Sequence, residues 1–121
     1  MSRCNDDVWL TGIVRAAVVD WMVHAKKLKD PKKLDVNAKF SDYQMNWSDF
    51  DSLCDDITSV TNPSINGALK HEQCKSFPGV PTGQWRIDNR DKKISVFIQA
   101  VVDEILKVQI VAAPNVANLG P

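Results

Sequence analysis

The sequence lacks most of the features that announce a particular chemistry. Its 15 basic and 15 acidic residues give a formal net charge of zero, so it has none of the basic excess that is typical of nucleic-acid binders. The 5 glycines are too dispersed to form a phosphate-binding loop. No GxSxG or HExxH pattern occurs either. These absences argue against nucleotide binding and against the common hydrolase classes.

Cysteine is also scarce. The 3 cysteines, Cys4, Cys54 and Cys74, include no CxxC pair, and an odd number at irregular spacing argues against a disulfide framework. A Cys54–Cys74 bridge stays open only for an exported protein. Zinc would need Cys4, Cys54 and Cys74 with His71, but structural zinc sites present their ligands as two close pairs. We therefore expect no metal and no cofactor.

Long apolar runs are absent as well. Arg15, Asp20 and Asp103 interrupt the most apolar stretches, so no segment is predicted to cross a membrane. The first residues lack the apolar region and small-residue cleavage site of a secretory signal. Together with the cysteine count, these observations predict a soluble protein in the cytoplasm.

Helical periodicity, by contrast, is present from the start. A first helix is predicted from about Asp6 to Lys29, with Asn5 or Asp6 as its cap and Pro31 beyond its end. Its apolar residues occupy nearly every side of the helical wheel. Such a helix is central in the fold, or it buries a second face in a partner such as another copy of the chain.

The stretch WSDFDSLCDD at residues 47–56 carries four aspartates in ten positions. A calcium loop that begins at Asp49 would need glycine at its sixth position, where Cys54 stands. The period instead predicts an amphipathic helix over residues 47–61 with its aspartates in solvent. Its inward arc comprises Trp47, Phe50, Leu53, Cys54, Ile57 and Val60.

The rest of the chain predicts a long connection at residues 30–46, a short helix within 64–74 and a Pro/Gly-rich turn near 76–84. QWRID, at 84–88, alternates like a short extended segment. Residues 94–111 are rich in β-branched side chains but have a helical period, so we predict one helix there, with strand plus helix as the alternative. The expected fold is mainly α, a compact bundle of three or four helices over residues 1–113 with a flexible tail at 114–121. The alternative is α+β with a small hairpin at 84–98.

Two groups of residues are candidate sites. Asp20 and His24 are one helical turn apart on the first helix, near its apolar side, and a carboxylate beside an imidazole is half of many catalytic arrangements. The same pair is also a simple way to satisfy two polar groups at the edge of a core.

The second group is charged. Lysines cluster at the end of the first helix, and aspartates cluster on the second. The lysines could contact phosphate or an acidic protein, or could complement the helix dipole and face the aspartates across the fold. The speculative binding residues are Lys26, Lys27, Lys29, Lys32, Lys33, Asp49, Asp51, Asp55 and Asp56.

The sequence therefore favours a non-enzymatic protein-interaction module, such as a small inhibitor, an immunity-type protein or an adaptor. It would bind a protein partner through helical and charged surfaces, or form a homodimer through the first helix. The first alternative is a nucleic-acid-associated protein that uses the basic segments 26–33 and 86–93. The second is a small enzyme that uses Asp20 and His24.

Overall fold

The structure, a computed structural model, describes residues 3–112. Within them the predicted mainly α-helical fold is confirmed: the elements are helices and short helical turns, with no strand. No helix in this range is both long and apolar enough to span a membrane. The predicted tail at 114–121 lies outside the described residues. The helices are α1 (Asp7–His24), α2 (Trp47–Thr58), α3 (Ala68–His71), α4 (Gln84–Arg90) and α5 (Ile94–Ala112).

Helix α1 is the centre of the bundle. The Asp6 carboxylate caps it by accepting a hydrogen bond from the Trp9 N–H at 3.1 Å. The helix packs against α2, against α5 and against a π-helical turn at Pro63–Gly67. These neighbours account for the apolar side chains that α1 buries, whereas Val8 is 82% exposed. The fully buried side chains are Leu10, Val14, Ala17, Val18 and Met22.

The predicted end of α1 is wrong, because the helix stops at His24 and not at Lys29. Lys26 adopts a left-handed conformation (φ 60°), and the Lys27 and Leu28 N–H groups both donate to the Met22 carbonyl at 2.8 and 3.2 Å. This closure turns the chain back so that Leu28 is buried. A single left-handed residue therefore overrides a run of good helix formers.

The long connection predicted at 30–46 is present but begins earlier, at residue 25, and it is better packed than its composition suggests. It contains 3-10 turns at Pro31–Lys33 and Phe40–Tyr43 and buries Leu34, Phe40 and Met45. The Phe40 ring lies 5.7 Å from that of Phe50 and 5.2 Å from that of Phe97. These edge and tilted contacts join the connection to α2 and α5.

The Pro/Gly-rich turn is held by two polar side chains beneath it. The buried Asn66 amide accepts from the Phe77 N–H at 2.7 Å and donates to the Phe77 carbonyl at 3.0 Å. The Thr58 hydroxyl accepts from the Val80 N–H at 3.1 Å. Gly79 has a φ of 120°, and a Cβ there would overlap Thr58. The turn therefore requires glycine at this position.

The extended segment predicted for QWRID is wrong, and so is the alternative hairpin at 84–98. Residues Gln84–Arg90 form α4, which places Trp85 against Phe97 (6.0 Å between rings) and buries Arg86. The alternation consisted only of Trp85 and Ile87, which is too short a pattern to distinguish a strand from a helix. The single helix predicted over 94–111 is confirmed as α5. Pairing of the β type is limited, within residues 3–112, to one bridge between Lys39 and Lys93.

The cysteine prediction also needs correction. Cys4 forms a disulfide with Cys74, with Cα atoms 5.4 Å apart, whereas Cys54 is free and buried. Cys54 faces the core from α2, so it cannot reach Cys74. Cys4 lies beside the end of α3, where Arg3 also pairs with Glu72 at 3.7 Å. Cys4 and Cys74 are 70 residues apart in the sequence, so the fold and not their spacing determines which cysteines pair.

We expect the double variant Cys4→Ser/Cys74→Ser to lose about 4 kcal/mol of unfolding free energy, because the disulfide closes a long loop in the unfolded chain. The ends of that loop are 70 residues apart. Urea denaturation measures the loss, and the unreduced wild-type protein in urea should show one thiol, that of Cys54. Three thiols before reduction, or an unchanged unfolding free energy, would contradict the bridge.

Candidate functional site

A pocket of about 260 Å³ opens beside the C-terminal half of α1. Its walls come from α1, from the end of α2 and from the π-helical turn. Asp20 and His24, the catalytic pair suggested by the sequence, both line this pocket. The lining residues are Asp20, Trp21, His24, Asp56, Asn62, Pro63 and Ser64.

Within the pocket, Asp20 and His24 are not joined in the way the sequence suggested. The His24 Nδ1 lies 2.8 Å from the Asp20 backbone carbonyl, not from its carboxylate. Because a carbonyl only accepts, Nδ1 is the donor of this hydrogen bond. The Asp20 carboxylate instead accepts from the Ser64 hydroxyl at 3.0 Å.

Asn62 assembles the opposite wall. Its Oδ1 accepts from the N–H groups of Ser64 and Ile65 at 3.0 and 3.1 Å, which caps the π-helical turn. Its Nδ2 donates to the Asp56 carboxylate at 3.2 Å and to the Asp56 carbonyl at 3.3 Å. Asn62 is only 8% exposed, and its side-chain oxygen and nitrogen each make two hydrogen bonds. These bonds hold Asp56 and Ser64 in place.

The sequence reasoning missed Asn62 and Ser64 as parts of the site. The sequence predicted only a short helix within 64–74 in this part of the chain. An asparagine followed by proline at the first helical position is a recognised cap signal. That signal could have identified Asn62, but its contact with Asp56 depends on the fold.

The remaining aspartates of α2 have partners elsewhere. Asp49 forms a capping box with Asn46 and an ion pair with Lys27 at 3.2 Å. Asp51 and Asp55 both bind Arg86, the latter at 3.0 Å. The four outward aspartates are therefore divided among three separate roles, and Asp56 is the one that faces the pocket.

Arg86 is an unexpected buried charge. Its side chain is 6% exposed, and its Nε donates to the Pro81 carbonyl at 3.1 Å. Burial alone would lower its pKa, but the hydrogen bonds that Arg86 donates to Asp51 and Asp55 outweigh burial and raise the pKa. This residue belongs to the α2–α4 contact and not to an exposed basic segment.

Cys54 lies behind that contact, in the core. Burial raises the pKa of its thiol from 9.0 to about 12, against the opposing effect of Arg86. The thiol is therefore protonated at neutral pH and unsuited to nucleophilic or metal chemistry. Because the folded pKa lies above the unfolded one, this thiol stabilises the fold below pH 9, and the contribution is lost as the pH rises toward 12.

The predicted lysines lie mainly in solvent. Lys27 is the exception, since it also donates to the Gln44 carbonyl at 3.0 Å. Among the described residues, the other four form no ion pair: Lys26, Lys29, Lys32 and Lys33. No group of three or more His, Cys, Asp or Glu side chains within residues 3–112 is arranged to hold a metal ion.

The Arg86 contact predicts an asymmetric mutational response. We expect Asp51→Asn/Asp55→Asn to cost about 3 kcal/mol of unfolding free energy, because a buried cation loses its counter-charge. Arg86→Met should cost only about 1 kcal/mol, because the two carboxylates left behind are 45% and 68% exposed and remain hydrated. Urea denaturation compares them, with Asp103→Asn as an exposed control. An equal or larger loss in Arg86→Met would contradict this account.

Comparisons with protein-family models, with curated proteins and with solved structures find no match to this chain.

Proposed function

We propose that this protein is a non-enzymatic protein-interaction module, of the small inhibitor, immunity-type or adaptor kind, and that the pocket between α1 and α2 contacts its partner. The observation that carries this proposal is a difference in ion pairing between two groups of aspartates. Asp20 and Asp56 line one concave site, and neither forms an ion pair within residues 3–112. In contrast, Asp49, Asp51 and Asp55 are all paired with basic side chains.

The arrangement of the pocket favours binding over catalysis. A nucleophilic Ser64 would need to pass its proton to an imidazole that a carboxylate orients. Here the Ser64 hydroxyl donates to the Asp20 carboxylate, and the Asp20 backbone orients His24. The enzyme hypothesis keeps its concave site, but in that site the Ser64 hydroxyl is placed against a carboxylate and not against an imidazole.

Nucleic-acid association is the second candidate. The bridge between Lys39 and Lys93 favours it, because this bridge brings the chain that follows the first lysine cluster beside Lys92 and Lys93. The 86–93 segment is weaker than predicted, since Arg86 is buried and Arg90 stacks on Trp47 at 4.7 Å.

If nucleic acid is the ligand, binding of a labelled oligonucleotide should weaken steeply between about 50 and 200 mM salt. It should also weaken in Lys39→Gln/Lys93→Gln, as followed by fluorescence anisotropy. No binding at low salt, or binding that salt leaves unchanged, would exclude this candidate.

The Cys4–Cys74 disulfide bears on the predicted cytoplasmic location. Disulfides persist in oxidising compartments, whereas the cytosol keeps cysteine thiols reduced. We therefore propose an oxidising compartment in place of the cytoplasm. The homodimer stays a prediction: it was inferred from an α1 too apolar for one chain, and α1 buries five side chains in its own fold while Val8 is 82% exposed.

The pocket variant Asp20→Asn/Asp56→Asn should lose partners that the wild-type bait recovers, because it removes both unpaired carboxylates. The matched control is Asp88→Asn/Asp103→Asn. Its two carboxylates are also exposed, and each likewise accepts from a neutral side chain. Quantitative affinity capture compares the three baits, and hydrogen exchange with the purified partner should show protection at residues 20–24 and 56–64.

Equal recovery by all three baits, or protection confined to other residues, would overturn the proposed contact face. The baits leave out Asp51 and Asp55, because their loss would disturb Arg86 and confuse instability with lost binding.

A further inference from the structure

We propose that the pocket accepts a guanidinium group, the head of an arginine side chain of the partner. This inference rests on the proposed function and names the chemistry of the contact. It follows from three properties of the lining: its size, the kind of hydrogen-bonding groups that remain available, and its charge.

The size fits a side chain better than a cofactor. The pocket has a volume of about 260 Å³. Drug-sized and cofactor-sized ligands occupy pockets of about 300–1,000 Å³. The pocket thus has room for one side-chain head group with a few waters.

The available polar groups are mainly acceptors. The Ser64 hydroxyl proton is used by Asp20, and both Asn62 donors are directed to Asp56. The Ser64 backbone N–H is bound to Asn62. What is left is oxygen of the Asp20 and Asp56 carboxylates, on a lining that also includes His24 and Trp21. A ligand that satisfies this wall must itself bring donors.

Charge narrows the choice further. Two carboxylates line the pocket and no lysine or arginine does, so an anionic or zwitterionic acid is disfavoured. Metal ions are disfavoured by the absence of a three-ligand group in the described residues. A guanidinium has five donors and no acceptor, binds carboxylates in a planar fork and stacks on aromatic rings, and Trp21 is among the residues that line the pocket. An ammonium group offers three donors and no plane to stack.

The probe is N-acetyl-L-arginine amide, titrated into the full chain and followed by 1H–15N NMR. We expect shifts at Trp21, Asn62 and Ser64 with an affinity on the order of millimolar, as suits a small fragment. N-acetyl-L-citrulline amide, which has the same shape without the charge, should bind at least tenfold more weakly. So should the arginine probe with Asp20→Asn/Asp56→Asn, whereas Asp88→Asn/Asp103→Asn should leave binding unchanged.

Several results would overturn the inference. They are equal binding of the citrulline analogue, equal binding of N-acetyl-L-lysine amide, or shifts confined to residues outside the pocket. The control carboxylate Asp103 is well separated from the site, because its partner Gln99 also contacts Asp7, and Asp7 lies about 20 Å along α1 from Asp20.

The two proposals fail separately. If capture of partners depends on Asp20 and Asp56 but the arginine probe does not bind, the guanidinium assignment is wrong and the interaction face stands. If the probe binds as expected but no captured partner depends on the pocket, the proposed function is wrong, and the pocket is a guanidinium site without a protein partner.

Discussion

Helix α1 carries more apolar surface than a helix at the edge of a small domain could bury, and this constraint organises the rest of the molecule. Burial of Leu10, Val14, Val18 and Met22 requires neighbours on several sides. Helices α2 and α5 and the π-helical turn provide them. What stays in water is a strip that includes Arg15, Ala16 and Asp20. The pocket forms where this strip meets the end of α2, so its position follows from how the core is enclosed.

The aspartates of α2 show how one amphipathic face acquires several roles. From sequence they are equivalent residues on the wet side of a helix. In the fold, their height along the helix decides what each one meets: Lys27 near the start, Arg86 in the middle and Asn62 near the end. The two in the middle compensate a buried cation, so they support structure and are poor candidates for recognition. Asp56 alone combines exposure with a concave setting.

Much of the fold could be predicted because it depends on local chemistry. The Asp6 cap, the Asn46 cap and the period of α5 are all written in neighbouring residues. In α5 the period outweighed β-branched propensity, because burial of Phe97, Val101 and Ile105 along one face outweighs small intrinsic preferences. The errors came where tertiary contacts decide. Arg86 can be buried because Asp51 and Asp55 on α2 neutralise its charge. Cys4 and Cys74 are 70 residues apart in the sequence and become neighbours only when the chain folds. Likewise, spacing could suggest Asp20 and His24, but the roles of Asn62 and Ser64 depend on a turn that no periodicity reveals.

The Cys4–Cys74 bridge has a topological consequence beyond its effect on the unfolded chain. It makes residues 4–74 a covalent ring, and every pocket residue, from Asp20 to Ser64, lies inside that ring. Helices α4 and α5 belong to the part of the chain that follows the ring. A single backbone cut in the connection at residues 30–46 would open the ring without releasing a fragment. The two walls of the pocket, one on α1 and the other on α2 and the π-helical turn, would remain parts of one molecule.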